Sequence, residues 1–334
     1  MNILVLAGGY SPERDVSLAS GAQVVQALRD RGHRALLLDP YKSIEAQPSF
    51  EALYHACARD DYTHAIPARE PDLAALKAQF GDGDALLGRH VLAACKFADV
   101  VFLALHGSYG ENGQLQATLD LHGVRYTGSD FIGCMLSMDK TIAKTLMELH
   151  GVQTPPTATL ENGLPLVIKP PCGGSSIGVS IVRDKAELDQ ALAYAREYES
   201  DVLIERYIPG REFSVGILDG CALPVIEICP KAGWFDYANK YQSNATAEIC
   251  PAEIPDDLAV RMQEAALKAH KALRLGSYSR VDFIVSDNGE IYCLEANSLP
   301  GLAPASLLPK EAQAAGISYD ELCEKIVELA LRRI

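Results

Sequence analysis

The sequence has no Cys-x-x-Cys pair and no histidine cluster beside any of its nine cysteines, which excludes a zinc-finger type of site. Nine is odd, so at least one thiol is unpaired within the chain, and free thiols in a reducing compartment are expected. Basic charge is also scarce: 30 Lys and Arg against 44 Asp and Glu give a formal net charge of -14, the wrong sign for displacing counterions from a nucleic acid. No nucleic-acid partner is expected, and any anionic ligand needs a local basic pocket. Long apolar runs are missing too. Residues 1–7 are apolar but too short to span a bilayer, and no basic stretch precedes them as in a secretory signal, so cytoplasmic residence without a membrane partner is expected.

Two nucleotide fingerprints are absent. After the first strand pattern, Gly8-Gly9-Tyr10-Ser11-Pro12-Glu13 lacks the Gly-x-Gly-x-x-Gly spacing that lets backbone approach a pyrophosphate, which argues against an oxidoreductase. The glycine-rich stretch at residues 172–178 lacks the Gly-Lys-Ser/Thr of a Walker A loop. Low-complexity tracts are missing as well, and 48% hydrophobic with 22% charged residues matches a packed globular protein whose 334 residues suit two or three domains.

Residues 2–6 form a buried-strand pattern and Gly8-Gly9 a tight turn; residues 16–31 read as a helix stopped by Gly32, and residues 35–38 as a second strand. Residues 100–105 are another continuous apolar strand, with His106-Gly107 at its carboxyl end, where open α/β sheets place ligands. The first unit therefore reads as doubly wound. Glu13 falls in a strand-to-helix loop, where a carboxylate serves either a substrate ammonium or the N-terminus of the helix. Residues 41–96 carry no recognisable chemistry, with a short helix expected over 73–80. Residues 138–150 read as an amphipathic helix through Ile142, Leu146 and Leu149, with a domain boundary just before it near Ser129.

Residues 166–169 and 179–182 read as strands flanking the glycine-rich segment, a hairpin whose backbone N–H groups and serine hydroxyls suit phosphate oxygens. Glu205 ends a further apolar strand and Glu212 begins the next, so both are placed to accept from a nucleotide's base or ribose. The most informative stretch is Arg280-Val281-Asp282-Phe283-Ile284, followed by Tyr292-Cys293-Leu294-Glu295-Ala296-Asn297. Asp282, Glu295 and Asn297 offer hard oxygens that suit Mg²⁺, and Arg280 lies two residues from Asp282 on the same strand face. That combination points to phosphoryl transfer.

Taken together these segments resemble the D-alanine-D-alanine ligases of the ATP-grasp superfamily. The resemblance is carried by Gly8 to Arg14 with Val16-Ser17-Leu18, Leu105-His106-Gly107, Tyr126-Thr127-Gly128-Ser129, Met138-Asp139-Lys140, Lys169 to Gly178, Lys240-Tyr241, Arg280-Val281-Asp282, Glu295-Ala296-Asn297 and Pro300-Gly301. These recur in family order along nearly the whole chain, except for residues 43–96.

The resemblance implies an α/β, ATP-grasp fold in three units: a Rossmann-like substrate-binding domain at 1–128, a small central domain with the glycine-rich lid at 129–204, and a C-terminal domain with metal and acceptor sites at 205–334. It implies ligation of two D-alanine molecules through a D-alanyl phosphate, with ATP and two Mg²⁺ (or Mn²⁺) ions, for peptidoglycan precursors, by a homodimer. Asp282, Glu295 and Asn297 match the metal ligands, and Lys140, Lys169 and Lys240 the lysines on the ATP phosphates, with Ser176 beside them in the lid. Glu205 and Glu212 match contacts to adenine and ribose, while Trp234, Ile284 and Leu294 are candidates for walls around the base. Arg280 and the Gly301 N–H match the oxyanion-stabilising pair. Glu13 matches the holder of the first substrate's ammonium, with Ser175 and Tyr241 as hydrogen-bond partners across a closing loop over residues 235–250. His106 falls at the first subsite, and Ser306 and Leu307 match the segment holding the second substrate's carboxylate. The Lys240-Tyr241 pair favours a peptide over an ester product. One departure is Ala303-Pro304-Ala305, where the family is more polar, so D-serine or another D-amino acid is the alternative acceptor. Another ATP-grasp carboxylate-amine ligase, or a nucleotide-binding regulatory protein, fits the pattern less well.

Overall fold

The computed structural model describes residues 1–67, 70–174, 176–230 and 246–332. Ser175, Trp234, Lys240 and Tyr241 lie outside the described residues. So does most of the loop expected to close over the nucleotide.

Strands β1 (Asn2–Leu6), β2 (Arg34–Leu38) and β3 (Val100–Leu103) form a parallel sheet in the order β2-β1-β3. Their near-continuous burial follows from the apolar runs read in the sequence, as parallel strands covered on both faces require. The helix Arg14–Asp30 follows β1, and Gly21 in it is forced by close packing: a Cβ there would stand 2.4 Å from the Ala7 methyl. The segment 43–96 supplies short helices at Phe50–Cys57, Leu73–Phe80 and Val91–Cys95. The first of these meets β2, where the Arg34 guanidinium lies 4.9 Å from the Tyr54 ring centre.

The central sheet is antiparallel, β5-β4-β6, built from β4 (Leu166–Lys169), β5 (Ser180–Val182) and β6 (Leu203–Arg206). The helix Leu188–Arg196 buries Ala191 and Ala195 against Ile168 and Val182 of this sheet. Residues 204 and 205, between which the sequence suggested a division, both lie on β6, which pairs with β4 through Arg206.

The third sheet is also antiparallel, in the order β10-β9-β7-β11-β12, from β7 (Gly210–Leu218), β9 (Ile226–Pro230), β10 (Thr246–Ile249), β11 (Tyr278–Ser286) and β12 (Ile291–Asn297); the short β8 (Cys221–Ala222) pairs with the end of β7. Strand alternation divides it into two faces. Phe213, Val215, Ile217, Val281, Phe283 and Val285 pack under the helices Lys140–Leu149 and Asp256–Ala272. Glu212, Ser214, Gly216, Arg280, Asp282 and Ile284 occupy the other face, in register across β7 and β11.

The helix Lys140–Leu149 buries only part of the stripe expected from its sequence. Leu146 packs on the core beside Ala143 and Met147, whereas Ile142 and Leu149 are exposed and Lys144 faces inward. Apolar periodicity misjudged the face because a lysine occupies part of it.

Between β9 and β8 the ladder beside β7 has a gap, since pairing with β9 ends at Ser214 and pairing with β8 starts at Ile217. The Gly216 N–H at this gap donates to Glu311 Oε1 at 3.0 Å, from the helix Leu307–Ala314. Gly216 has to be glycine, because a Cβ would come within 2.5 Å of Leu308 Cδ1 and 2.6 Å of Glu311 Oε2. Burial pushes the Glu311 carboxyl up to about 8, against the opposing field of Arg280. A carboxyl raised from 4.5 to about 8 on folding keeps its proton where the unfolded chain has lost it, so its stabilising contribution is complete below pH 4.5 and lost on the way to pH 8. Glu311→Gln keeps the acceptor for Gly216 and cannot ionise. Its melting temperature is expected to gain on wild type between pH 5 and pH 8, by roughly 2–4 °C per kcal/mol of linkage. A difference between the two proteins that stayed constant over that range would mean Glu311 is ionised in the fold.

Candidate active site

A cavity of about 370 Å³ lies between the central and C-terminal sheets. Lys140, Lys169, Ser176, Glu205 and Glu212 line it with polar groups, and Ile284 and Leu294 give it apolar wall. Lys169 ends β4, Glu205 lies on β6, and Glu212 and Ile284 are cross-strand partners on β7 and β11. Tyr207 and Ile208, in the short connection from β6 to β7, also line the cavity. They were not anticipated, though a two-strand hinge bracketed by Glu205 and Glu212 is a signal for them.

Leu294 and Glu295 are adjacent, so strict strand alternation would send them to opposite faces. A β-bulge resolves this: Asp282 pairs with Glu295 but the next residue, Phe283, pairs with Cys293, leaving Leu294 unpaired in the register. Both Leu294 and Glu295 thereby line the cavity.

Asp282 and Glu295 are direct cross-strand partners, as are Arg280 and Asn297, so all four side chains share one face. Arg280 grips Asp282 with both arms of its fork, Nε to Oδ1 at 2.9 Å and a terminal nitrogen to Oδ2 at 2.7 Å. Ser214 also donates to Asp282 Oδ1 at 2.7 Å, and the Asn297 amide donates to Oδ2 at 3.0 Å. Desolvation of the partly buried Arg280 guanidinium works against its charge, and Asp282 and Glu295 outweigh it. Lys140 reaches Glu295 at 3.1 Å and the carbonyl of Gly173 at 2.7 Å, and its own N–H donates to Pro171, which ties the glycine-rich hairpin to the metal-type carboxylates.

Among the described residues no three His, Cys, Asp or Glu side chains gather into a metal cage. Two carboxylates and an amide on one face are instead the hard-oxygen set that Mg²⁺ takes when substrate phosphates complete its shell.

A second pocket of polar groups lies beyond Arg280. Glu13 precedes the helix Arg14–Asp30 and makes no capping bond with its side chain. Its carboxylate lies between two glycines: a Cβ on Gly107 would stand 2.9 Å from Glu13 Oε2, and one on Gly174 3.2 Å from it. The turn after β1, the loop after β3 and the lid hairpin therefore converge on Glu13. His106 is buried, its Nδ1 3.3 Å from the Leu299 carbonyl, and its Nε2 has no partner among the described residues. Burial holds the His106 pKa below its ordinary value, opposed by the field of Glu13. An imidazole so placed is neutral at physiological pH and has a nitrogen available for a ligand.

Glu111, which the sequence reading passed over, joins this pocket. Its carboxylate accepts from the Gly107 N–H at 2.9 Å and the Leu299 N–H at 3.1 Å. Burial raises it to about 8, with Glu13 adding to the effect. Gly301 and Ser306 are neighbours, a Gly301 Cβ standing 3.0 Å from Ser306 Oγ, and Ser306 opens the helix Leu307–Ala314. The Leu307 side chain packs with Ile226 and Ile228, which leaves only its backbone for a ligand.

The arrangement thus couples a nucleotide-sized cavity into which Lys140 and Lys169 reach, an Mg²⁺-type donor set, and an arginine bonded to that set whose charge acts on a buried, neutral imidazole near Glu13. Two family models divide the chain between them: the D-ala D-ala ligase N-terminus matches residues 2–129 and the D-ala D-ala ligase C-terminus residues 140–328. The chain belongs to the D-alanine-D-alanine ligase family. Among curated members of the family, the D-alanine-D-alanine ligase of Pediococcus pentosaceus is 43% identical, covering 98% of this chain and 97% of its own. The one from Methylacidiphilum infernorum is 44% identical, over 99% and 96%. The crystal structure of the Bacillus anthracis ligase complexed with ATP superposes with a TM-score of 0.75 at 33% identity, covering 99% of this chain and 98% of that one. The VanG D-Ala:D-Ser ligase of Enterococcus faecalis gives 0.74 at 29% identity, over 98% of each. The fold is therefore the α/β ATP-grasp fold that the sequence motifs implied. Among the described residues no helix is long and apolar enough to cross a membrane.

Proposed function

We propose that this chain joins two D-alanine molecules at the expense of ATP, through a D-alanyl phosphate, giving D-alanyl-D-alanine, ADP and phosphate for peptidoglycan precursors. The observation that carries the reading is the position of Arg280, bonded to Asp282 beside the nucleotide-sized cavity and close enough to the Glu13 and His106 pocket for its charge to act on His106.

ATP occupies the cavity, with its base between Ile284 and Leu294, Glu205 and Glu212 toward base and ribose, and Lys140, Lys169 and Ser176 toward the phosphates. Mg²⁺ held by Asp282, Glu295 and Asn297 would offset phosphate charge during transfer. Glu13 holds the ammonium of the first D-alanine and His106 Nε2 faces the same substrate, which directs its carboxylate toward the nucleotide. The phosphorylated carboxyl has a good leaving group, and the second amine, deprotonated, attacks its carbon. As the carbonyl becomes tetrahedral, Arg280 and the Gly301 N–H stabilise the oxyanion. The Ser306 and Leu307 backbone receives the carboxylate of the second D-alanine at the start of a helix, where N–H groups are unpaired by the helix itself. Ser175, Trp234, Lys240 and Tyr241 complete the lid side of this reading. The chain works as a homodimer in the cytoplasm, with units at residues 1–128, 129–204 and 205–334.

A D-serine or other D-amino acid acceptor is the second reading, because Ala303-Pro304-Ala305, in the loop leading to Ser306, stands where the family is more polar. An ATP-to-ADP assay with D-alanine alone, then with D-serine or D-lactate added and products identified by mass, separates the two. D-Alanyl-D-alanine is expected to dominate at neutral to mildly alkaline pH, where the acceptor ammonium loses its proton more readily. ADP release indifferent to D-alanine but stimulated by another carboxylic or amino acid would replace the assignment.

A further inference from the structure

Lys144 is 7% exposed, and no step above uses it. It lies four residues after Lys140, so both lysines project from the same face of the helix Lys140–Leu149. Lys140 lines the nucleotide cavity, whereas Lys144 is not among the described residues lining it. The Lys144 ammonium instead donates to Glu205 Oε1 at 2.9 Å and to the Pro155 carbonyl; Glu148, half-exposed, lies 3.8 Å away. The other oxygen of Glu205 is 2.7 Å from Lys169 Nζ. Glu205 is thus a buried carboxylate clasped by one ammonium from inside the cavity and one from behind it.

The charges decide what this does. Lys169 and Glu205 alone would sum to zero, and a neutral pair offers little to a triphosphate. Adding Lys144 gives the buried trio a net charge of one positive unit; Glu148, farther away and half in solvent, is screened by water, and because Lys144 stands behind Glu205 the surplus is presented through Lys169. In a water-poor cavity such a surplus is weakly screened. The carboxylate itself stays ionised: burial alone would raise its pKa, but Lys169 and Lys144 bring it below the ordinary value.

We propose that Lys144 is a positioning residue for nucleotide binding, holding Glu205 from behind and offsetting its charge so that Lys169 keeps its own for the phosphates. This rests on the ligase reading given above. The test is calorimetric titration of ADP with Mg²⁺ into wild type, Lys144→Met, Lys144→Arg, Glu205→Gln and the double variant Lys144→Met/Glu205→Gln, alongside the KM for D-alanine. Lys144→Met is expected to weaken ADP about tenfold with the D-alanine KM within twofold of wild type, and Lys144→Arg to restore binding. On the Glu205→Gln background the same Lys144→Met change should alter the ADP Kd less than twofold, since no carboxylate charge remains to offset. An ADP Kd in Lys144→Met within twofold of wild type would overturn the proposal, and so would an equal loss on both backgrounds. Should Lys144→Met fail to fold, Lys144→Gln replaces it on both backgrounds with the same expected losses and the same limits. A wild-type protein that bound no ADP would refute the ligase reading itself, a result distinct from either of these.

Discussion

Replacing Arg280 by methionine is expected to lower kcat by about a hundredfold, roughly 2.7 kcal/mol of barrier, with the KM for ATP changed no more than about threefold. The guanidinium is fixed before any substrate arrives, because both its arms are bonded to Asp282. A donor held in this way needs no reorganisation when charge appears on the carbonyl oxygen, so its removal acts on the transition state more than on ground-state binding. Arg280→Lys retains the charge but not the planar fork, and is expected to recover only part of the loss. Steady-state kinetics at saturating ATP and D-alanine check this. A fall in kcat below tenfold would place the oxyanion elsewhere.

Chelation of divalent cations is expected to reduce ligation to background, and Asp282→Asn to cost on the order of a hundredfold or more in kcat. Asp282 has two tasks in this structure, since it anchors Arg280 and shares a face with Glu295 and Asn297. Turnover alone would not separate them. A Mg²⁺ titration does: loss of a ligand should move the half-saturating Mg²⁺ concentration at least tenfold upward in Asp282→Asn, whereas Arg280→Met should leave it near the wild-type value. Equal Mg²⁺ requirements in wild type and Asp282→Asn would remove Asp282 from the metal set.

Much of the site was legible because strand chemistry is local. Arg280, Asp282, Glu295 and Asn297 lie on two strands of one hairpin, and period-two alternation puts each pair on a single face. The bulge at Leu294 was not legible, since register depends on pairing that no single strand encodes. Lys144 and Glu311 were missed for another reason. Both are charged residues on helices, where the ordinary expectation is a solvated face. Each is buried by a partner distant in sequence, Glu205 for the first and the Gly216 N–H for the second. The segment 43–96 yielded its helix at Leu73–Phe80 but no role, and in the fold its first helix covers the outer strand β2.

Glu111 clasps the Gly107 and Leu299 amides at once, so the loop after β3 and the loop after β12 are pinned together across 188 residues of chain. That pin makes the amino-acid side of the enzyme a stationary frame. His106, whose Nδ1 lies 3.3 Å from the Leu299 carbonyl, is therefore set against the loop leading to Gly301 before any ligand arrives.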